Sequence, residues 1–213
     1  MFPIDASQPV ELRVPEHLLV ATDNIDLLDG AIVLKDTSCY PKGFGEWYEY
    51  FQAEYSWGAE AKNSIQRFEE GLKSLPDSLQ KKLQNVGLNV ERRLSETNDE
   101  QYLLQRFIKT RQINRNGKLV LMPMIELVNH SPFQSSWITD EDSIAIKGRY
   151  DDEILVKYSV SDPLRRWMQY GFNCKEPTGF SLHFKLRHNQ QEILVHGGLN
   201  NEITKDCILS TKN

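Results

Sequence analysis

From Gly43 to Ile113 the apolar residues of this chain return every third or fourth position, whereas on either side they alternate or run in short clusters. Trp47, Tyr50 and Phe51 recur at i, i+3 and i+4, and Ile65, Phe68, Leu72 and Leu75 continue at helical spacing until Pro76 stops the helix. Asp77 is placed to cap the next helix, which carries Leu79, Leu83 and Val86 before Gly87. "TNDE", Thr97 to Glu100, fits a capping box ahead of "QYLLQRFIKTRQI", where Leu103, Leu104, Phe107 and Ile108 make one apolar face. A helical block of this length cannot be absorbed into a sheet, so the chain must combine both kinds of element.

The flanks supply the strands. Residues 1–42 hold "VELRVPEHLLV" and "GAIVLKD", broken by Pro15 and by the turn-like Asp29-Gly30. Beyond residue 117 come "KLVLM", "SIAIK" and "EILVKY", each bounded by turn residues. "DPLRRWMQYGF" reads as one short helix with Pro163 in its first turn. "FSLHFKL" then alternates, with Phe180, Leu182, Phe184 and Leu186 on one face and His183 on the other, and "RHNQQ" turns it into "EILVH". The expected class is α+β, with strands in 1–42, helices in 43–113, a second strand region in 114–173 and a strand hairpin in 174–213. Aromatic residues make up 10% of the 213, enough bulk for a real core.

Composition excludes several functions. A net charge of −5 without a basic patch argues against nucleic acid as a partner. Cys39, Cys174 and Cys207 are odd in number and share no metal-type spacing, which fits a reducing, intracellular, cytoplasmic home. The N-terminus lacks the basic and apolar regions of a signal peptide, and no apolar run nears the roughly 20 residues that span a bilayer, so no membrane role is expected. In that setting the sequon Asn129-His130-Ser131 is a chance match. His17 and His183 suit exposed positions, and His188 and His196 lack a third ligand, so no metal site is expected. Neither glycine-rich phosphate motif occurs; Gly43-Phe44-Gly45 starts a helix.

What remains is "LVLMPMIELVNHSPF", an apolar run that ends on Asn129, His130 and Ser131, together with Tyr158 and Tyr170 of "VKYSVSDPLRRWMQYGF". On local physics these are a strand-ending turn and two half-buried aromatics. Their order reads further: an arginine ending a helix ("KTRQI"), an extended segment "LVLMPMIELVNHS", then "GRYDDEILVKYS", then "YGF". That order resembles the SET-domain protein methyltransferases, in the subclass typified by the Rubisco large-subunit methyltransferase, with its inserted helices, "PxxDxxNHS" segment and "YGF". "ELRVPEHLLV" and the helical stretch from Gly45 are similar to the subclass more loosely. The resemblance runs over about residues 10–173 and is specific from Arg111 to Phe172.

The resemblance implies a SET-type β-clip of short strands, a knot-like chain crossing and an inserted helical subdomain. It implies S-adenosylmethionine as cofactor, with Asn129, His130 and Arg111 holding it, Tyr158 at the reacting centre and Tyr170 walling the methyl channel. The implied function is methyl transfer to a side-chain nitrogen of a protein substrate, lysine being the usual acceptor. This sequence departs from the family in having Ser159 after Tyr158, Glu126 in place of the usual Asp, no glycine cofactor loop before "ELRVP" and no large C-terminal helical domain. The alternative is a catalytically inactive SET-like binding or scaffold module.

Overall fold

Val10–Pro15 (β1) alternates in burial, and its inward Leu12 and Val14 lie opposite Ile146 and Ile144 of its partner strand, Ser143–Gly148 (β9). The two run antiparallel from Val10 opposite Gly148 to Pro15 opposite Ser143, and Ile138–Thr139 (β8) flanks β9 on its other edge. β9 is buried at four consecutive positions, Ser143 to Ile146, as expected of a central strand covered on both faces. This sheet belongs to a computed structural model that describes residues 1–85, 100–158 and 163–172, together with the backbone of strands 184–188, 191–196 and 208–212.

Two further small sheets are set by their turns. Ile25–Leu28 (β3) and Ala31–Leu34 (β4) form a hairpin across Asp29-Gly30, both with positive φ (50° and 79°). Ile113–Arg115 (β5) and Lys118–Leu121 (β6) do the same across Asn116-Gly117 (52° and 83°). Two consecutive left-handed residues are what a two-residue hairpin needs to match strand twist, and Asp-Gly and Asn-Gly reach that shape at least strain. Val20–Ala21 (β2) adds to β6.

The helical block lies between β4 and β5. Phe44–Phe51 (α1) starts after Gly43, whose φ of 85° no β-carbon tolerates well. It continues as a π-helical turn, Gln52–Ser56, in which Trp57 N–H reaches back five residues to Gln52 O (2.6 Å). Ala59–Lys73 (α2), Asp77–Asn85 (α3) and Glu100–Arg111 (α4) follow among the described residues. The inward stripe of α1 is Phe44, Tyr48 and Phe51, so the expectation for Trp47 and Tyr50 is corrected: both face water. Pro76, not Asp77, opens α3, because its carbonyl accepts from Leu79 N (2.8 Å) and Gln80 N (3.1 Å). Of the apolar stripe expected there, Leu83 is buried and Leu79 is exposed, while Val86, Gly87 and Thr97–Asp99 lie outside the described residues. On α4 the expected face is seen, with Leu103, Leu104 and Phe107 buried and Ile108 packed against them.

The main core joins the β3–β4 hairpin to α1, Trp57 and α4, and Trp57 Nε1 donates to Gly30 O (2.9 Å) at that seam. A second cluster sits over the β1–β9 sheet around Met122, Ile125, Val128 and Val156. A third, smaller one packs Leu72 and Leu83 on Met168 of the short helix Pro163–Tyr170 (α5).

Phe184–His188 (β11), Gln191–His196 (β12) and Ile208–Lys212 (β13) form an antiparallel three-stranded sheet. Arg187, His188 and Gln191, expected in a turn, are strand residues instead: Arg187 pairs with Glu192 and His188 with Gln191. His188 is therefore opposite one end of β12 and His196 at the other, about 17 Å away at strand rise. Phe180, Leu182 and His183 lie outside the described residues. The architecture is α+β, and no helix among the described residues is long and apolar enough to cross a membrane.

Candidate functional site

The segment after β6 is not one continuous strand. Met124 has φ 71° and ψ −57°, and Ile125 N bonds Pro123 O (2.9 Å), which together make the rare positive-φ γ-turn. A 3₁₀ turn, Ile125–Leu127, follows before the chain extends again at Asn129–His130 (β7). The expectation of an extended segment is corrected here for a physical reason. A strand would send Ile125 and Glu126 to opposite faces, whereas the turn buries both, with Val128 behind them.

β7 pairs in parallel with Leu155–Val156 (β10), Asn129 opposite Leu155 and His130 opposite Val156. This short pairing carries Tyr158 to His130. Tyr158 N donates to His130 Nδ1 (3.0 Å), Ser131 N donates to Val156 O (3.0 Å), and the Tyr158 hydroxyl donates to Val128 O (2.6 Å). An Nδ1 that accepts a backbone N–H places the proton of a neutral imidazole on Nε2. Tyr158 is thus tied at its backbone and at its tip.

Around it stand aromatic rings from three further segments. Ring centroids lie 5.2 Å apart for His130 and Tyr158, 5.2 Å for Tyr158 and Tyr170, and 5.8 Å for His130 and Phe172. Trp137 stacks on Tyr158 at 6.3 Å. Tyr170 ends α5, and Gly171 (φ 79°) turns the chain so that Phe172 joins the cluster. Arg106 of α4 fixes that end: Nη2 donates to the Met168 and Gln169 carbonyls (3.0 and 3.1 Å), and Nε meets the fully buried Glu69 carboxylate at 3.2 Å. A cation on the last carbonyls of a helix satisfies groups the helix itself leaves open.

Arg111 and Glu126 bring charge to the same place. The Arg111 guanidinium lies 4.0 Å over the Phe107 ring and donates through Nη1 to Thr110 Oγ1 (2.8 Å), while its Nε is buried without a hydrogen-bond partner among the described residues. Glu126 accepts at Oε1 from Gln52 Nε2 and Ser56 Oγ, both at 3.0 Å, and its Oε2 is buried without a hydrogen-bond partner among the described residues. Gln52 and Ser56 both come from the π turn. Burial pushes the Glu126 carboxyl up, against the pull of Arg111 and of its two donors. Burial likewise lowers Arg111, which Glu126 opposes. The Tyr158 phenol is pushed up to about 12, chiefly by burial, with Arg111 opposing, so it is protonated at neutral pH.

Two cavities meet here. A narrow one of about 30 Å³ is lined by Arg111, Met122, Glu126, Trp137, Tyr158 and Tyr170, among others. A cleft of about 510 Å³ is lined by Ile65 and Phe68 of α2, Arg106, Tyr170, Gly171 and Phe172, among others. Thr110 and Tyr170 line both, so the two volumes share one threonine and one tyrosine.

Of the residues singled out in the sequence, Arg111, Tyr158 and Tyr170 come together at the narrow cavity, and His130 packs on Tyr158. Asn129 lines neither cavity; it is exposed, and its Nδ2 donates to Glu153 Oε1 (2.6 Å). Sequence reading missed the roles of Glu126, Gln52, Ser56, Trp137, Phe172 and Arg106. The one signal for Glu126 was a carboxylate inside an apolar run. Arg106 had none, because its contacts are made with residues 37 to 63 positions away. No protein-family model matches the chain, and neither a curated protein nor a solved structure matches it.

Proposed function

We propose that this chain is a SET-type, S-adenosylmethionine-dependent protein methyltransferase that methylates a side-chain amine, lysine being the preferred acceptor. The observation that carries the reading is the convergence of Arg111, Tyr158 and Tyr170, distant in sequence, on a narrow cavity that shares Tyr170 with a cleft of about 510 Å³, with His130 packed on Tyr158. That volume lies within the range of small-molecule sites, roughly 300–1,000 Å³.

The donor set fits the cofactor. The Arg111 Nε–H, buried and unmatched among the described residues, is suited to a carboxylate, and the Tyr170 and Phe172 rings line the cleft where a purine would stack. Arg111, His130, Tyr170 and Phe172 are the residues that would hold it. When bound, it supplies a methyl group activated by a sulfonium. The chain's own part is alignment. The Tyr158 hydroxyl spends its proton on Val128 O, so its lone pairs are left to accept an N–H of the acceptor amine. The narrow cavity admits the tip of one extended side chain, and its Trp137, Tyr158 and Tyr170 walls hold water away from the nitrogen. Little acid–base work is needed once that amine is neutral.

One observation favours the second reading, a SET-like binding or scaffold module: Asn129, expected on the cofactor, is engaged by Glu153 at the surface. Isothermal titration with S-adenosylhomocysteine separates the two. Saturable binding that Arg111→Ala and His130→Ala each weaken tenfold or more, about 1.4 kcal/mol, supports the enzyme. Methyl transfer to a protein acceptor, abolished in Tyr158→Phe, completes it. No binding at millimolar ligand overturns the enzyme in favour of the module.

A further inference from the structure

α1 and its π turn show different chemistry on their two sides. Inward, Tyr48 and Phe51 enter the core and Gln52 and Ser56 bond Glu126. Outward, three large aromatics face water: Trp47 is 40% exposed, Tyr50 58% and Tyr55 64%. They are organised rather than scattered. Trp47 stacks on Phe51 (5.4 Å, 13°), and the Tyr50 and Tyr55 rings meet edge to face at 6.3 Å. Residues five apart become neighbours because the π turn widens the helix there.

Carboxylates frame these rings. Glu46 and Glu54 are exposed and Glu49 is half-exposed. From Gly43 to Ala61 the sequence has four glutamates and neither lysine nor arginine. Lys62, just beyond, is engaged by Glu100 (3.0 Å) and by the Trp57 ring.

We propose that this face docks a basic segment of a partner protein, its arginine or lysine side chains laid on Trp47, Tyr50 and Tyr55 and paired at the rim with Glu46, Glu49 and Glu54. Aromatic faces attract a cation through their quadrupole, most strongly where water is excluded. The surrounding negative potential adds long-range attraction. The same potential turns away anionic lipid surfaces and phosphate backbones. The surface lies outside both cavities, so the inference goes beyond methyl transfer and stands without it.

The test titrates the full-length protein, with no cofactor present, against a fluorescent peptide alternating arginine with glycine. A glutamine-for-arginine peptide serves as its neutral counterpart. The arginine peptide is expected to bind, more weakly as salt rises. The Trp47→Ala/Tyr50→Ala pair and the Glu46→Gln/Glu49→Gln/Glu54→Gln triple should each reduce affinity at least tenfold. Tyr55→Ala should reduce it less, and Phe133→Ser, at an exposed position elsewhere, should leave it unchanged. Absence of binding by the arginine peptide overturns the proposal, as does equal binding of the glutamine peptide or wild-type affinity in both multiple variants. S-adenosylhomocysteine titration reads the other site, so the two proposals fail separately.

Discussion

Arg111 and Arg115 stand four residues apart, at the end of α4 and on the hairpin that follows, and the protein treats them differently. Arg115 is buried and engaged at two nitrogens, with Nε on Glu16 Oε2 (2.8 Å) and Nη2 on the Asp140 and Glu141 carbonyls. Arg111 rests on Phe107 and Thr110, with its Nε buried and unmatched, and no direct ion pair joins it to Glu126. Both guanidiniums lose hydration on folding. One recovers it inside the protein; the other keeps a donor open beside a cavity. Unmatched buried polar groups are rare in folded proteins, and a cluster of them marks a place where something other than packing is served.

That contrast can be broken most directly at Arg115. Arg115→Met removes its bonds to Glu16 and to two carbonyls, and should cost about 2–4 kcal/mol in urea unfolding. Arg111→Met should change unfolding by less than about 1 kcal/mol, since it also removes an unmatched buried donor, yet weaken S-adenosylhomocysteine at least tenfold. Equal stability losses at the two positions would erase the distinction.

Glu126→Gln sharpens it through pH. Burial raises the folded-state value of Glu126 above its ordinary 4.5. The folded state therefore holds that proton more tightly than the unfolded chain, and Glu126 favours folding fully below pH 4.5. This contribution is lost as pH rises through the raised folded-state value. Wild type should thus lose stability relative to Glu126→Gln between pH 4.5 and neutrality; a difference that stays constant, or shifts in favour of wild type, as pH rises would contradict the assignment.

The smallest effect concerns backbone. Met124, on the site segment, sits at φ 71° in a γ-turn, while Asn116, beside Arg115, takes a left-handed shape (φ 52°) that asparagine accepts. Met124→Gly should stabilise by up to about 1 kcal/mol, the relieved strain exceeding the entropy that glycine adds to the unfolded chain. Asn116→Gly should change little. Thermal unfolding of both variants reads the difference.

Local pattern was informative wherever one element decided the outcome. The α4 face and the Asp29-Gly30 turn were legible because each depends on spacing or on φ preference within a few residues. Pattern failed on α1, where two overlapping aromatic stripes fit one helix equally well and only the surroundings choose Phe44, Tyr48 and Phe51 over Trp47 and Tyr50. It failed again at Met124, because an apolar run does not announce that a carboxylate within it will be buried. Asn129 was singled out from its neighbours in sequence, yet its partner is Glu153, brought close by the β7–β10 pairing.

By itself the sequence determined the α+β class, the helical block between strand regions and the residue types available for a site, since these follow from periodicity, turn chemistry and charge. Tertiary structure alone decided that Arg111 and Glu126 face one cavity with unmatched atoms, that Tyr158 is tied to His130 and Val128, and that Arg106 holds Tyr170 and Phe172 in place. The hydrogen bonds among them join residues 28 to 63 positions apart. They depend on which faces pack together, and no short-range propensity carries that information.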